Sequence, residues 1–145
     1  MADGLKLLTD EKEIVLFVEH QRLKTFQKWP NDPDWTCTPE KLAAAGFYFR
    51  PSPEAPDNVC CPFCNKELDG WEPDDDPYQE HKKHSPRCSF LLQRKPIEDL
   101  TVTEFTRMLM NIAILRTEKI FDHKAKELEA ASAEARKLII ENNVV

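Results

Sequence analysis

Four residues constrain this chain more tightly than any other feature: Cys61, Cys64, His81 and Cys88. Two residues separate the cysteines of the first pair, sixteen separate Cys64 from His81, and six separate His81 from Cys88. A Cys-x2-Cys turn directs both sulfurs to one edge of a metal, and a His followed by a Cys closes the tetrahedron. Three Cys and one His form a zinc donor set with no open position, so one structural Zn2+ is predicted, its centre carrying one net negative charge. Cys60 is set aside because three residues separate it from Cys64 and two-residue knuckles are commoner. Cys60 and Cys37 then read as small core residues. His84 lies three residues beyond His81 on nearly the same helical face, so spacing alone leaves it open as the ligand instead. Enzymatic zinc fits poorly. A deaminase needs His-x-Glu ahead of its Cys pair, and a zincin needs His-Glu-x2-His, whereas this chain has His81-Lys-Lys-His84.

Composition narrows the surroundings of that cluster. The chain has 145 residues, with 20 basic and 26 acidic side chains and a formal net charge of −6. One ordinary domain with an appendage suits that length. An acidic balance argues against generic nucleic-acid binding, which needs a basic footprint, and no direct sequence-specific nucleic-acid binding is expected. The longest apolar run, Ile14 to Val18, is far short of a membrane span. Met1-Ala2-Asp3 does not open a secretory signal, so the five cysteines are expected in a reducing compartment, where metal ligation is favoured over disulfides.

All 11 prolines and the three tryptophans lie between Trp29 and Pro96, and from Ile97 onward there is no Gly, Pro, Cys or Trp. A turn-rich zinc domain over 10–92, a linker over 93–100 and one long helix over 101–143 are therefore expected. Within the first part, Asp10 with Glu13 has capping-box spacing, and apolar positions from Ile14 to Phe26 carry a helix toward Trp29. Thr38-Pro39-Glu40 starts a short helix that Gly46 ends. Phe47 to Phe49 reads as a strand, and Val59–Cys61 with Glu67–Asp69 as paired strands around the Cys turn. Asp76-Pro77 opens the helix carrying His81 and His84.

At this point the residues become recognisable. Arg22-Leu-Lys-Thr-Phe26 with Trp29-Pro30, Ala45-Gly46-Phe47-Tyr48, Gly70-Trp71 before Asp75-Asp76-Pro77, Glu80-His81 and Pro86-x-Cys88 together resemble the baculoviral inhibitor-of-apoptosis repeat, the BIR domain. The match covers about half of the chain. The run from Lys66 to Ser85 is closer still to single-BIR members that end in a long helix. The resemblance implies an α+β fold, a three-stranded antiparallel sheet among short helices, with zinc on Cys61, Cys64, His81 and Cys88. It also implies a non-enzymatic subunit of the chromosomal passenger complex. Such a subunit binds helices of borealin and the inner centromere protein, joins the Aurora B kinase through the complex, and reads a phosphorylated histone tail. Nucleus, chromosome, centromere, kinetochore, cytoplasm, spindle and midbody are the places this implies. An inhibitor of apoptosis that binds caspases or pro-apoptotic N-terminal peptides is the alternative. A ubiquitin ligase would need a second Cys/His cluster, which this sequence lacks.

Glu67 to Glu80 holds seven acids and no base, with Trp71 inside the run. An aromatic wall among carboxylates suits a cationic peptide or a free amine, although a solvated acidic loop with Trp71 in the core gives the same pattern. The family pattern favours a groove of Lys66, Glu67, Leu68, Asp69, Trp71, Asp75, Glu80 and His84. In it Asp69 and Asp75 take a terminal amine, Leu68 and Trp71 an Ala methyl, and Lys66 with His84 a phosphothreonine. The long helix, about 42 residues and roughly 60 Å, carries an apolar stripe from Phe105 to Leu115 that drifts on to Ile139, which suits partner helices. Ile14, Phe17, Ile97, Leu100, Val102 and Phe105 form the apolar patch that resembles the family's homodimer contact. Thr38-Pro39-Glu40-Lys41 matches a proline-directed phosphorylation site and equally a plain helix start.

Overall fold

A computed structural model describes residues 11–143 apart from 31 and 33. Asp10, the expected first cap, lies outside the described residues. The chain forms two compact units, Met1–Ala113 and Ile114–Val145. In chain order the elements are α1 (Glu11–Val15), α2 (Glu19–Leu23), a 3-10 turn (Lys24–Lys28), α3 (Pro39–Ala44), β1 (Tyr48–Phe49), β2 (Val59–Cys60), β3 (Glu67–Leu68), α4 (Pro77–His84), α5 (Ser89–Leu92), a second 3-10 turn (Ile97–Asp99) and α6 (Val102–Asn142).

The single helix expected up to Trp29 is broken after Val15 and tightens to 3-10 after Leu23. The break has a physical cause. The Arg22 guanidinium donates to the carbonyls of Leu16 and Phe17 at 3.0 and 2.7 Å, which satisfies them outside any helical ladder. Phe17 thereby turns inward and stacks on Phe63, ring centroids 4.5 Å apart. Phe26, Trp29 and Phe49 pack as a second aromatic group, with centroids 5.4–5.8 Å apart. Thr25 Oγ1 donates to the Arg22 carbonyl and accepts from the Phe49 amide at 2.8 Å, which ties this segment to β1.

The sheet has the order β1-β2-β3, antiparallel throughout. Tyr48 faces Cys60 and Phe49 faces Val59; Val59 also faces Leu68, and Cys60 faces Glu67. Each strand is one residue shorter than the sequence suggested. Phe47 leaves the ladder because its amide returns to the Leu42 carbonyl at 3.0 Å while its ring fills the core. Thr38 and Asp76 cap α3 and α4 as expected, each followed by proline at the first helical position. Met108 and Ile112 of α6 are buried in the core of the first unit.

The start of α6 carries a capping box that sequence reading did not single out. The Thr101 amide donates to Glu104 Oε2 at 2.8 Å and the Glu104 amide donates back to Thr101 Oγ1 at 3.2 Å. Lys95, 2.8 Å away, and Thr101 hold the Glu104 carboxyl down to about 2. A depressed carboxyl stabilises the folded chain fully above the ordinary carboxylate range, and that contribution is lost as pH falls toward 2.

Gly46 sits at φ +98°, and a Cβ there would lie 2.7 Å from Phe90 Cδ1. Gly46→Ala is therefore expected to cost about 2–3 kcal/mol through backbone strain and displacement of Phe90. Denaturant unfolding of the zinc-loaded protein measures this; an unchanged midpoint would show that the contact yields freely.

Candidate metal centre and peptide groove

The knuckle begins where β2 ends. The Asn65 amide returns to the Cys61 carbonyl at 2.8 Å and the Cys61 amide to the Lys66 carbonyl at 3.0 Å. Asn65 closes the turn in the left-handed region at φ 55°, which asparagine tolerates better than most residues. The turn leaves Cys61 and Cys64 facing α4, which supplies His81, and the residue just before α5, Cys88. The four ligand atoms lie within 4.8 Å of one another and all four residues are buried.

Two of the six edges of the donor set match the spacing zinc requires. Zn–S bonds of about 2.3 Å and Zn–N bonds near 2.05 Å at tetrahedral angles require an S···S edge of about 3.8 Å and an S···N edge of about 3.6 Å. The Cys61–Cys88 sulfurs are 3.7 Å apart, and Cys64 Sγ lies 3.6 Å from His81 Nε2. The Nδ1–H of His81 donates to the Ala45 carbonyl at 2.7 Å, which fixes the tautomer and leaves Nε2 as the ligand atom. His84 is exposed, and its Nε2 pairs with Glu80 at 3.3 Å, so the choice between the two histidines falls on His81. Burial and the adjoining sulfurs push the Cys61 thiol well above its ordinary range. The Cys64 sulfur is drawn the other way, toward the thiolate, by hydrogen bonds from Cys61 and Cys88, so a dication that takes all three thiolates displaces the protons that Cys61 and Cys88 retain. Zinc held here has no open position and crosslinks three segments of the chain.

Cys37 and Cys60 stand apart from the cluster. Burial raises the Cys37 thiol to about 11, with Asp75 adding to the rise, and burial also raises Cys60. Both remain thiols at neutral pH and lack the thiolate character that reactivity needs. Among the described residues there is no disulfide.

A groove of about 250 Å³ lies between β3 and α4, lined by Leu68, Asp69, Trp71, Glu72, Asp75, Glu80, Lys83 and His84. Six of the eight residues expected in a peptide site are gathered there. Glu67 is not among them, because its carboxylate takes Arg50 at 2.7 Å and the Asn58 amide at 3.3 Å. Lys66 is half-buried and also outside the lining. Lys83 was missed, although its place three residues beyond Glu80 on one helix was a usable signal; the two side chains are 3.4 Å apart. Trp71 is 7% exposed, edge-on to Phe47 at 5.9 Å, and its amide donates to Asp57 at 2.8 Å. The acidic loop is pinned by the Pro73 carbonyl, which accepts from the Thr36 and Cys37 amides at 3.0 Å. Among the described residues β3 is an edge strand, and one side of it has no strand partner.

The apolar patch expected at a dimer contact is divided. Phe17 is buried against Phe63, inside the protomer, and with Ile97 and Leu100 it lines a separate cavity of about 300 Å³. Phe105 packs half-buried on the core, while Ile14 and Val102 are exposed. Thr38 Oγ1 accepts from the Lys41 amide at 3.4 Å, the cap bond of α3.

Cys64→Ala or His81→Ala is expected to abolish stoichiometric zinc and unfold the zinc domain, whereas Cys60→Ala and His84→Ala should retain one zinc per chain. Metal analysis of the purified proteins, with circular dichroism, decides this. Full zinc content in Cys64→Ala would contradict the ligand set.

Residues 22–92 match the BIR Inhibitor of Apoptosis domain. The chain is 44% identical over 124 residues to Baculoviral IAP repeat-containing protein 5 of Mus musculus, covering 86% of this chain and 89% of that one. Against Baculoviral IAP repeat-containing protein 5.2-A of Xenopus laevis it is 44% identical over 115 residues, 79% of this chain and 73% of that one. Among solved structures, the crystal structure of DIAP1 BIR1 bound to a Grim peptide shares 39% identity with a TM-score of 0.46, covering 60% of this chain and 82% of that chain. Zinc ligands, sheet and sequence agree, and the chain belongs to the inhibitor-of-apoptosis BIR family as a single-BIR homologue of survivin.

Proposed function

We propose that this protein is an adaptor of the chromosomal passenger complex, which reads the phosphorylated N-terminal tail of a core histone and joins partner helices. Members of its family are non-enzymatic, so binding is the activity to explain. The observation that carries the reading is the groove beside β3: a buried tryptophan, ringed by Asp69, Glu72, Asp75 and Glu80, at the unpaired edge of a sheet. An extended peptide adds a strand to such an edge, and carboxylates at its end suit a free terminal amine. Asp69 and Asp75 would take the amine, Leu68 and Trp71 the first side chain, and His84 with Lys66 a phosphate two residues on. Lys83 lines the same groove and adds a cation to that end. Borealin and inner centromere protein helices, and Aurora B through them, would engage the long helix. No helix among the described residues is long and apolar enough to cross a membrane.

The same groove would serve an apoptosis inhibitor that captures caspases or pro-apoptotic N-termini. The exposed Phe121, Leu128, Leu138 and Ile139 of the second unit favour the adaptor reading, because a bare peptide-binding module has no use for them. In this setting a homodimer would use Ile14, Val102 and the Ile97–Leu100 segment, and Thr38 would be a phosphorylation site that trades a helix cap for surface charge.

Titration with a histone-tail peptide that starts at Ala and carries phosphothreonine at position three should show binding that falls at least ten-fold on N-acetylation. Asp75→Ala should lose a similar amount, and each charge-assisted bond to the phosphate is worth about 1.5–3 kcal/mol. Unchanged affinity for the acetylated peptide would remove the amine from the reading.

A further inference from the structure

Arg22 is the largest fully buried side chain among the described residues, at 2% exposure. A buried guanidinium ordinarily sits against a carboxylate, because an uncompensated charge in a core is costly. Here its hydrogen bonds go to carbonyls: Nε to Ala43 at 3.0 Å, and Nη1 to Leu16 and Phe17. Carbonyl dipoles solvate the cation but leave its charge standing. The opposite charge lies one layer away. The Cζ of Arg22 stands 5.9 Å from the centroid of Phe63, which is inside the Cys61–Cys64 knuckle, and 5.3 Å from that of Phe90, two residues beyond Cys88. Phe90 in turn stacks on the His81 ring at 5.9 Å and 9°. Arg22 is thus packed on aromatic rings carried by the segments that hold the metal. Burial disfavours the cation and lowers its pKa, and the Cys61 sulfur opposes that more strongly than Glu19 or Glu98 does.

We infer that Arg22 is the counter-charge of the metal centre: its cation balances the single net negative charge of a zinc held by three thiolates and one imidazole. Arg22 touches no ligand atom of the site in any hydrogen bond, so it acts through the field and is a positioning residue for the metal rather than part of its donor set. The benefit runs both ways. The zinc-thiolate centre makes the buried guanidinium tolerable, and the guanidinium makes a negatively charged metal centre tolerable in an apolar core.

Two variants separate charge from hydrogen bonding. Replacing Arg22 with citrulline keeps the Nε and Nη1 donors, and so all three carbonyl bonds, but removes the charge. Arg22→Lys keeps the charge and loses the fork. Zinc affinity is measured by competition with a chromophoric chelator, and the sulfur-to-cobalt charge-transfer band is recorded on the Co(II)-substituted protein. Expected for citrulline is a loss of zinc affinity of about ten-fold or more and a shift of the band to longer wavelength, because thiolate electrons are less stabilised. Arg22→Lys should keep the band in place and its affinity within about three-fold, since the charge is retained. Wild-type affinity and band position in the citrulline protein would overturn the inference, as would a Lys variant with a displaced band. Should the citrulline protein fail to fold in excess zinc, the Lys variant decides alone: an unshifted band supports the counter-charge and a shifted one refutes it.

Discussion

Coordination of one zinc by Cys61, Cys64, His81 and Cys88 is the constraint on which the other contacts of the zinc domain depend. The strands are two residues long and the helices before α6 have at most eight. Ladders this short cannot hold themselves together, and a small core offers little more. The metal replaces what hydrogen-bond ladders lack. It joins the turn after β2 to α4 and to the start of α5, segments separated by up to 27 residues in Cys61 and Cys88. Binding free energies of structural zinc, about 10–16 kcal/mol in small zinc-binding peptides, are comparable to the whole stability of an ordinary domain.

The groove inherits its shape from that crosslink. His81 is the ligand on α4, while Glu80 and His84 on the same helix line the groove. The His81 ring lies 4.5 Å from Phe47, and Phe47 meets Trp71 edge-on. The path from metal to groove wall is therefore imidazole, phenyl, indole, each in direct contact. On the other side, Asp75 accepts from the Glu72 amide at 2.8 Å, which shapes the acidic loop before α4 begins. A groove built this way depends on the metal for its order. The same helix thus carries a metal ligand on its buried face and groove-lining polar side chains on its exposed face.

What the sequence made legible follows from how local each feature is. The Cys-x2-Cys knuckle, both Pro-preceded helices and the strand pairing around the knuckle depend on residues within a few positions of one another, and each was readable; the choice of His81 over His84 needed the resemblance and then the structure. The break in the first helix was not, because it turns on Arg22 reaching back to Leu16 and Phe17, and on Phe17 finding Phe63 across the fold. Apolar periodicity through Ile14, Phe17 and Val18 is the same for a helix and for a turn that sends one phenyl inward. Glu67 shows the same limit in the site. In sequence it belongs to an acidic run, but Arg50 on the far side of β2 claims it. Arg22 itself stood in plain view as a motif residue, yet a buried cation cannot be told from a surface one by spacing alone.

The second unit poses the opposite physical problem, since little in it is buried. The buried side chains of α6, Met108 and Ile112, both lie ahead of Ile114. Beyond that point the helix rests on propensity, being rich in Ala, Glu, Lys and Leu, and on side-chain pairs along one face. Lys124 meets Glu127 at 2.7 Å, His123 meets the same carboxylate at 3.2 Å, and Lys137 stands 3.9 Å from Glu141. Such exposed pairs contribute about 0.2–0.5 kcal/mol each, enough to favour a helix but not to reward exposed Phe121, Leu138, Ile139 and Ile140. Apolar side chains on a helix that already holds its backbone are pre-ordered for association, because the entropy of forming the helix is spent before a partner arrives. A surface of that kind gains most from another helix laid along it, whose own apolar positions repeat at the same spacing. The two ends of the chain therefore offer different physics: the zinc domain presents charge at the rim of a groove, and the long helix presents apolar area on an element that needs no core of its own to stay helical.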